Sequence, residues 1–415
     1  MVRTVKLRVR VNHEVYFALE EVVKEYGGIL EDALEYGLRS GVNSFVRLKA
    51  GIYGAERERH GGLPSHYIYT ACEDVSMRLK SFLRLRRLGR AYTDRPELRS
   101  VTVHLDDHLW RFGLDAIQVA TKRGWVGLEP QYHRLFWMYL NGGWGLASEA
   151  RFKLLKGNVV EIYLVFKKGE PEPYEPKGFL PIDLNEDSVS TIVDGAPVLL
   201  ETNNRKITLG YHYRRLAITR GKSTGDRDVR GRLRMLKERD RKLDARRKLA
   251  KLIVMEALRT RSAIVLENLP KRAPEHMVKG IRDKQLRLRI YHSAFSSMKR
   301  QIIEETREYG VPVILVNPSH TSSLCPIHGA RINYRPNGSN APRVGKCPVG
   351  GELWHRDVAA LYNLLRKAGD GRPMPLASTG PHDPHVIKMN VRPRAKSLHS
   401  IMSKMKVQGQ TVSEA

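Results

Sequence analysis

Three acidic residues lie beside apolar segments, where a solvated carboxylate would not be expected. Asp183 lies inside the apolar stretch FLPIDL, Glu267 follows the apolar stretch AIVL, and Asp357 precedes the apolar segment VAALYNLL. A charge at the edge of a hydrophobic core needs a partner. One such acid alone is more often an ion-paired structural residue. Three acids in the same context favour a carboxylate cluster that binds a divalent metal ion, because hard cations prefer oxygen ligands.

The elements that must position these acids can be predicted from the apolar pattern. The residues around Asp183 indicate a strand, and Asp194-Gly195 predicts a tight hairpin turn soon after it. Residues 263–266 and 311–316 predict two more buried strands, with a helix from about residue 283 to residue 309 between them. Asp357 begins a helix whose buried face follows at i+3, i+4, i+7 and i+8, with Ala360, Leu361, Leu364 and Leu365.

The composition indicates a partner with many negative charges. The chain of 415 residues has 72 Lys and Arg against 44 Asp and Glu, a formal net charge of +28. This excess is typical of a polyanion binder, and 415 residues suggest two or three domains. A membrane surface is disfavoured because the sequence contains neither a long apolar run nor a signal peptide. Three cysteines suggest no disulfide framework and fit a cytoplasmic protein, here one acting at the nucleoid.

Two predicted helices carry basic faces. The first spans about residues 67–88, and the second belongs to the basic segment 226–259. Either face can be an ordinary solvated surface, but both are predicted to follow a nucleic-acid backbone. The predicted contacts are Arg78, Lys80, Arg84, Arg86 and Arg87 in the first helix, and Arg234, Lys237, Arg241 and Lys242 in the second.

The amino-terminal half predicts a small β-barrel interrupted by helices. Alternation in VKLRVRV indicates a strand, and Asn12 occupies the N-cap position of a following helix. Between residues 101 and 166 the stretches VTVHL, QYHRLFWMYL, RFKLL and EIYLVF predict further strands, with turns at 141–143 and 157–158. The proline-rich segment KKGEPEPYEPKG predicts a semi-rigid linker to the second half.

Four motifs in a fixed order carry a resemblance to a known family. PIDLN, VLENL, HTSSLCPIHG and RDVAALYNLL resemble the RuvC-type nuclease core of the TnpB (OrfB) proteins of insertion sequences, which are relatives of type V CRISPR effectors. The resemblance covers about residues 178–367, and more loosely the amino-terminal half. It implies an α/β RNase H-like nuclease core with a zinc-knuckle insert, preceded by a β-barrel wedge that carries a helical recognition lobe.

The residue patterns and the resemblance together imply domain limits. They are a wedge barrel at 1–11 and 101–168, a recognition lobe at 12–100, a linker at 169–178, a nuclease core at 179–324 and 351–367, a knuckle-like insert at 325–350, and a flexible basic tail at 368–415.

The resemblance implies an activity and its cofactors. It makes Asp183, Glu267 and Asp357 the catalytic acids of an endonuclease that uses two Mg²⁺ ions to hydrolyse phosphodiester bonds. The implied partners are a guide RNA and a double-stranded target DNA, with base pairing reading the sequence. Two alternatives stay open, namely a guided DNA-binding protein that does not cut and a compact type V CRISPR-like effector.

The knuckle is where the sequence departs from the family pattern of two Cys-x-x-Cys pairs. Here the first pair is Cys325-Pro-Ile-His328 and the second is Cys347-Pro-Val-Gly350, in which the glycine offers no ligand. A structural zinc site is normally closed by four ligands. His355 can supply the fourth or point toward the nuclease site instead. Zinc binding by Cys325, His328 and Cys347 and a knuckle without metal therefore both stay open.

Overall fold

The computed structural model of the chain describes residues 1–98, 100–202, 204–223, 225–270, 273–293, 295–334, 343–369 and 385–388. The chain divides into two compact units, 1–169 and 170–415. In the described residues, every helix is too short or too polar to cross a bilayer.

The first unit combines helices with antiparallel strands around one core. In chain order its elements are β1 (Val2–Arg10), α1 (His13–Arg39), α2 (Phe45–Arg59), α3 (His66–Arg87), β2 (Val103–Leu105), β3 (Trp110–Arg111), β4 (Ile117–Thr121), β5 (Gly124–Leu128), α4 (Arg134–Leu140), β6 (Gly145–Leu155) and β7 (Val159–Lys167). The alternation in β1 places Val5, Leu7 and Val9 in the core and the basic residues between them outside, as the sequence predicts.

The predicted β-barrel does not close within the described residues. The strands form a four-stranded sheet in the order β1-β7-β6-β2 and a separate three-stranded sheet in the order β3-β4-β5. β1 and β2 are therefore the two edges of the larger sheet, whereas barrel closure requires edges to pair. The buried residues of these strands share a core with those of α1, α2 and α3, so helices supply the cover that a closed barrel would obtain from its own strands.

The prediction of a strand in the stretch QYHRLFWMYL is also wrong, because this stretch contains the short helix α4. Phe136 is fully buried. Its ring centroid lies 4.1 Å from that of Tyr132 and 5.7 Å from that of Phe166. Leu135, Trp137 and Met138 are exposed. The many aromatic residues of this stretch favour a strand. In the structure the stretch is a helix of which only one side is buried.

Asn12 caps α1, as predicted, because its Oδ1 accepts a hydrogen bond of 2.8 Å from the Val15 backbone N–H. We expect Asn12→Ala to lower the free energy of unfolding by about 1 kcal/mol, since a free helix N–H group loses its partner. Urea unfolding followed by circular dichroism measures this change. Asn12→Asp is the matched control and should keep nearly wild-type stability. An unchanged Asn12→Ala midpoint would contradict a role for the cap.

The second unit is built on a mixed sheet with helices on both faces. Its elements are β8 (Gly178–Leu184), β9 (Ser188–Val193), β10 (Ala196–Glu201), α5 (Asn204–Thr219), α6 (Arg227–Met235), α7 (Glu238–Thr260), β11 (Ser262–Glu267), α8 (Ala273–Met277), α9 (Lys284–Ser293), α10 (Phe295–Tyr309), β12 (Val313–Val316), β13 (Val344–Lys346), β14 (Leu353–His355), α11 (Arg356–Lys367) and β15 (His385–Lys388).

The strand order of this sheet is β12-β11-β8-β9-β10-β15. β8, β9 and β10 are antiparallel neighbours, whereas β11 runs parallel to β8 and β12 runs parallel to β11. The predicted turn joins β9 to β10, with φ of 50° at Asp194 and 81° at Gly195, as a two-residue hairpin of this kind requires. Apart from β15, this is the order and direction of an RNase H-like sheet, so the expected fold class of the second half is confirmed.

The two faces of this sheet contact different helices. Leu180 and Ile182 of β8 and Leu266 of β11 share a core with residues of α7 and α10. Phe179 of β8 and Val265 of β11 pack instead with residues of α11. Because side chains alternate along a strand, odd-numbered residues of both strands face α11. Asp183 and Glu267 are odd-numbered members of these strands.

Three predicted elements differ in extent. The helical segment 226–259 is broken at Lys237, whose φ of 48° separates α6 from α7. The predicted helix 283–309 comprises α9 and α10. Residues 385–388 of the predicted flexible tail form β15, which pairs in parallel with β10, so the tail prediction is wrong there. The rest of the tail from 370 onward lies outside the described residues.

Candidate functional site

Asp183 and Glu267 lie side by side at the carboxyl ends of two parallel strands. Leu266 of β11 pairs with Ile182 of β8. The residues that follow, Glu267 in β11 and Asp183 in β8, therefore lie side by side. Neighbouring residues at one level of a sheet project to the same face. Two acids that are 84 positions apart in the chain are thereby directed toward α11.

Asp357 enters from α11, in which it is the second residue. Val358, Leu361 and Leu364 of this helix are fully buried. Leu364 packs with Val265 and Val316, which fixes the helix over the carboxyl ends of β11 and β12. The helix therefore holds Asp357 at the sheet edge at which Asp183 and Glu267 end.

All three acids line one cavity of about 620 Å³. Asp183 and Asp357 are 8% and 6% exposed, so both carboxylates are largely removed from solvent. The structure thus brings together the three acids singled out in the sequence. The other polar residues of the wall are Asn185, Ser319, Thr321, Ser322, Arg343 and Arg356.

The Asp183 carboxyl group has an unusual electrostatic environment. Burial is the largest cause that raises its pKa to about 8, and the negative charges of Asp357 and Glu267 raise it further. A hydrogen bond from Asn185 and the charge of Arg356 act in the opposite direction. Buried carboxylates that repel one another are stabilised by a bound cation, so this set of oxygen donors fits a divalent metal ion.

Glu267 is held by groups that sequence spacing did not reveal. The Thr321 hydroxyl donates a hydrogen bond of 2.6 Å to its Oε1. Burial raises the pKa of Glu267, while this hydrogen bond and the charge of Lys367 lower it. Lys367 donates hydrogen bonds to the backbone oxygens of Asn317, at 2.8 Å, and of Ser319. These contacts tie the loop after β12 to the far end of α11.

Asp357 has a direct basic partner in Arg343, whose Nη1 lies 3.0 Å from its Oδ2. The Arg343 side chain is 64% exposed, and an ion pair with such a partner contributes little stability. A cation or a phosphate group can therefore separate the pair at low cost. Arg343 belongs to the basic insert before the second knuckle turn, and this basic composition was its only signal in the sequence.

The predicted knuckle residues also converge. The Nδ1 atom of His328 lies 3.6 Å from Cys325 Sγ and 3.5 Å from Cys347 Sγ. Glu352, which sequence reasoning missed, contributes a carboxylate oxygen 2.9 Å from the same nitrogen. The donor atoms of these four residues all lie within 4.8 Å of one another. They form a group that can hold a metal ion.

His355, the possible fourth zinc ligand, is not a member of this group. It is the N-cap of α11, and its Nδ1 accepts a hydrogen bond of 3.2 Å from the Asp357 backbone N–H. His355 therefore fixes the backbone that carries an acid of the cavity. Its position two residues before Asp357 was the signal for this role, which the sequence analysis left open.

The predicted basic faces are only partly available. Lys80, Arg84, Arg86 and Arg87 at the end of α3 are exposed, as are Arg234, Lys237 and Arg241 of the second segment. Arg78 instead donates two hydrogen bonds to Asp74, at 2.9 and 2.8 Å. Lys242 is buried and lies 2.6 Å from Glu238 Oε1, so its prediction as a surface contact is wrong. A carboxylate one helical turn earlier explains both cases.

Comparisons with known proteins find similarity over parts of the chain. Residues 295–364, which include the knuckle and Asp357, match the family model of the Cas12f1-like TNB domain, and residues 22–120 match the Uncharacterized protein MJ0013 family. A TnpB-like protein of Methanocaldococcus jannaschii, MJ0751, is 33% identical over 123 residues, which span 30% of this chain and 41% of that protein. This chain is related to the TnpB proteins.

Two further similarities are broader but have a lower sequence identity. The TnpB-related chain is 26% identical over 212 residues to the uncharacterized protein MJ0857 of Methanocaldococcus jannaschii, covering 46% of this chain and 77% of that protein. A cryo-EM structure of a Cas12f1-sgRNA-target DNA complex matches 88% of this chain and 98% of that chain, with 13% identity and a TM-score of 0.49. A TM-score below 0.5 does not establish a shared overall fold. The RNase H-like assignment of the TnpB-related chain depends on its own strand order.

Proposed function

We propose that this protein is a metal-dependent endonuclease that cuts DNA under the direction of a guide RNA. One observation carries the proposal: Asp183, Glu267 and Asp357 line one cavity at the carboxyl edge of an RNase H-like sheet. The relation to TnpB proteins supports the same conclusion, since the resemblance implies a nuclease site at these positions. It also supports an origin in an insertion sequence, although strand transfer is not part of the proposal.

The three acids would hold the metal, and Mg²⁺ is proposed because it prefers carboxylate oxygens while keeping several water molecules. The chemistry that a pair of Mg²⁺ ions supplies, when bound, is stabilisation of the attacking and leaving oxygens of a phosphodiester.

The protein's own side chains prepare the cavity for this role. Asn185 donates a hydrogen bond of 3.0 Å to Asp183 Oδ2, and Thr321 donates one to Glu267, so both carboxylates are fixed in direction. Arg343 and Arg356 add positive charge to the wall of the cavity. Arginine forms strong charge-assisted hydrogen bonds with phosphate oxygens. The cavity is therefore suited to a phosphodiester as well as to a cation.

The guide RNA and the double-stranded target DNA are proposed partners because of charge and exposure. The net charge of +28 favours nucleic acid, and Lys80, Arg84, Arg86 and Arg87 present exposed cations at the end of α3. Contacts to phosphates fix the position of a nucleic acid without reading its sequence. In this proposal, base pairing with the guide selects the target.

The proposal is tested by expressing the full chain together with the DNA that flanks its gene. RNA that co-purifies with the protein is sequenced, and the complex is incubated with plasmids that carry the matching target beside a randomised flank. We expect bound RNA and linearised plasmid only when Mg²⁺ and a matching target are both present. EDTA should abolish cutting.

Two outcomes would contradict this proposal in different ways. Bound RNA and retained target without cutting in Mg²⁺ would identify the non-cutting, guided DNA-binding protein instead. Absence of any co-purified RNA, together with no preference for a matching target, would overturn RNA guidance altogether. Cutting that does not depend on the RNA would leave an unguided nuclease.

A further inference from the structure

The two halves of the knuckle are turns of the same kind. Residues 325–329 and 347–351 both follow the pattern Cys-Pro-x-x-Gly. In the first turn the Gly329 N–H donates to the Cys325 oxygen at 2.8 Å, and in the second the Gly351 N–H donates to the Cys347 oxygen at 3.0 Å. Both glycines have positive φ, 67° and 77°. The two turns therefore present equivalent positions, of which the fourth is His328 in one and Gly350 in the other.

The space beside Gly350 is filled by the side chains of Glu352 and His328. A Cβ atom built on Gly350 would lie 2.4 Å from Glu352 Oε1 and 2.2 Å from His328 Cε1. Real Cβ atoms do not approach other atoms so closely. A side chain at position 350 therefore cannot share this place with the Glu352 carboxylate and the His328 ring, and the glycine makes room for both.

The distances between the donor atoms suit a tetrahedral zinc ion. With Zn–S bonds of about 2.3 Å and Zn–N bonds of about 2.1 Å, sulfur and nitrogen ligands in a tetrahedron are separated by about 3.6 Å. The observed separations from His328 Nδ1 to the two sulfur atoms are 3.6 and 3.5 Å. Glu352 Oε1 lies close to the same nitrogen, on the side at which the fourth position of the second turn would otherwise project.

Only one oxygen of the Glu352 carboxylate has a partner among the described residues. Its side chain is only 10% exposed, and Oε1 contacts His328. Oε2 is buried and has no hydrogen-bond partner among the described residues. A buried, unpaired carboxylate oxygen is costly, and such groups call for a ligand. An ion pair between Glu352 and His328 accounts for the position of Oε1. It does not account for the burial of Oε2 without a partner or for the two thiols beside it.

We infer that Glu352 is the fourth ligand of a structural zinc ion, with Cys325, His328 and Cys347 as the other three. The ligand absent at position 350 is replaced by a carboxylate two residues later. This site would join the segment after β12 to the start of β14, which leads directly into α11. The inference goes beyond the proposed function and does not depend on DNA cleavage, because its test measures metal binding alone.

Metal content and chelator competition test the inference on the full-length chain. We expect about one zinc per chain, and we expect Glu352→Ala to weaken zinc binding by at least about tenfold, a loss at least as large as that for removal of an outer-shell partner. Glu175→Ala, which removes an exposed carboxylate, is the control and should leave zinc affinity unchanged. Cobalt substitution should give tetrahedral visible bands with the charge transfer of two thiolates.

A compensating pair of substitutions separates ligand loss from misfolding. Glu352→Ala removes the carboxylate beside residue 350, so that only the end of the His328 side chain has to shift to admit a side chain there. Adding Gly350→Cys then creates the second Cys-x-x-Cys pair. We expect this double variant to regain zinc affinity and to show about one and a half times the thiolate-to-cobalt charge transfer of the wild type. Gly350→Cys alone, with Glu352 still in place, should bind zinc less well than the double variant.

Several results would overturn the inference. Less than about half an equivalent of zinc in the wild type would show that the knuckle carries no metal. Unchanged affinity and unchanged cobalt bands in Glu352→Ala would show that the fourth ligand is water or another residue. A double variant that binds no better than Glu352→Ala would exclude exchange of the carboxylate for a thiolate at this place.

Discussion

Replacing Glu267 with glutamine is expected to lower the rate of guided DNA cleavage by about 10²- to 10³-fold. Glutamine keeps the shape and can still accept the hydrogen bond from Thr321, but it removes one negative charge from the set that would hold Mg²⁺. Loss of one electrostatic contact to a transition state typically costs this much. Asp357→Asn should give a loss of similar size. Single-turnover cleavage of a matched duplex at saturating Mg²⁺ measures both.

The same sheet offers a matched control in Glu201. This residue ends β10 as Glu267 ends β11, but it is not among the residues that line the cavity. Glu201→Gln should cleave at a rate close to the wild type. Binding of the matched duplex to the guide complex should be unchanged in every variant, since the phosphate contacts are untouched. Wild-type cleavage by Glu267→Gln would show that the acid is structural and would remove the basis of the proposed site.

The convergence of the three acids was predictable because each one interrupts an apolar pattern. Leu180 and Ile182 alternate with residues that face the other side of β8, and Asp183 falls on that other side. Glu267 has the same parity in the next parallel strand. A polar group that recurs at equivalent places in buried elements indicates a shared site, and this information is local. Pattern alone therefore sufficed for the central part of the cavity.

The partners of these acids were not predictable, because they depend on contacts between distant segments. Thr321 reaches Glu267 across 54 positions, and Arg343 reaches Asp357 from an insert with no periodic pattern. Glu352 was missed for a different reason. Motif spacing directed attention to position 350 and to His355, whereas the structure uses the volume that a glycine leaves free. Space of this kind becomes visible only when the two turns face each other.

The errors in secondary structure have local causes. The stretch that contains α4 is rich in aromatic residues, which favour strands, but tertiary contacts of Phe136 decide the outcome. The break between α6 and α7 was not predictable, because no glycine or proline stands at it and Lys237 itself adopts the left-handed conformation. β15 pairs with β10 across nearly two hundred positions, a contact that no short window of sequence can reveal.

Asp183→Asn is expected to abolish cleavage and, at the same time, to stabilise the metal-free protein. The pKa of Asp183 is raised to about 8 by burial and by the charges of Asp357 and Glu267, whereas in the unfolded chain the group has its ordinary value near 3.8. Between these two values the folded state holds a proton that the unfolded state has released. The free energy of unfolding therefore falls as the pH rises from about 4 to about 8, by up to about 1.4 kcal/mol per pH unit from this group. Asparagine removes this penalty because it is neutral at every pH.

Thermal unfolding in EDTA at several pH values measures the effect against the wild type. We expect Asp183→Asn to raise Tm by at least about 3 °C at pH 8, with a gain that shrinks steadily toward pH 5. Mg²⁺ should raise the Tm of the wild type, since it binds only the folded state, and should do so much less for the variant. Asp94→Asn, at an exposed loop carboxylate, is the control and should show neither change. If Asp183→Asn lowered Tm at pH 8 in EDTA, the acids would be held by compensating partners rather than by mutual repulsion, and the physical reason for a cation at this site would be lost.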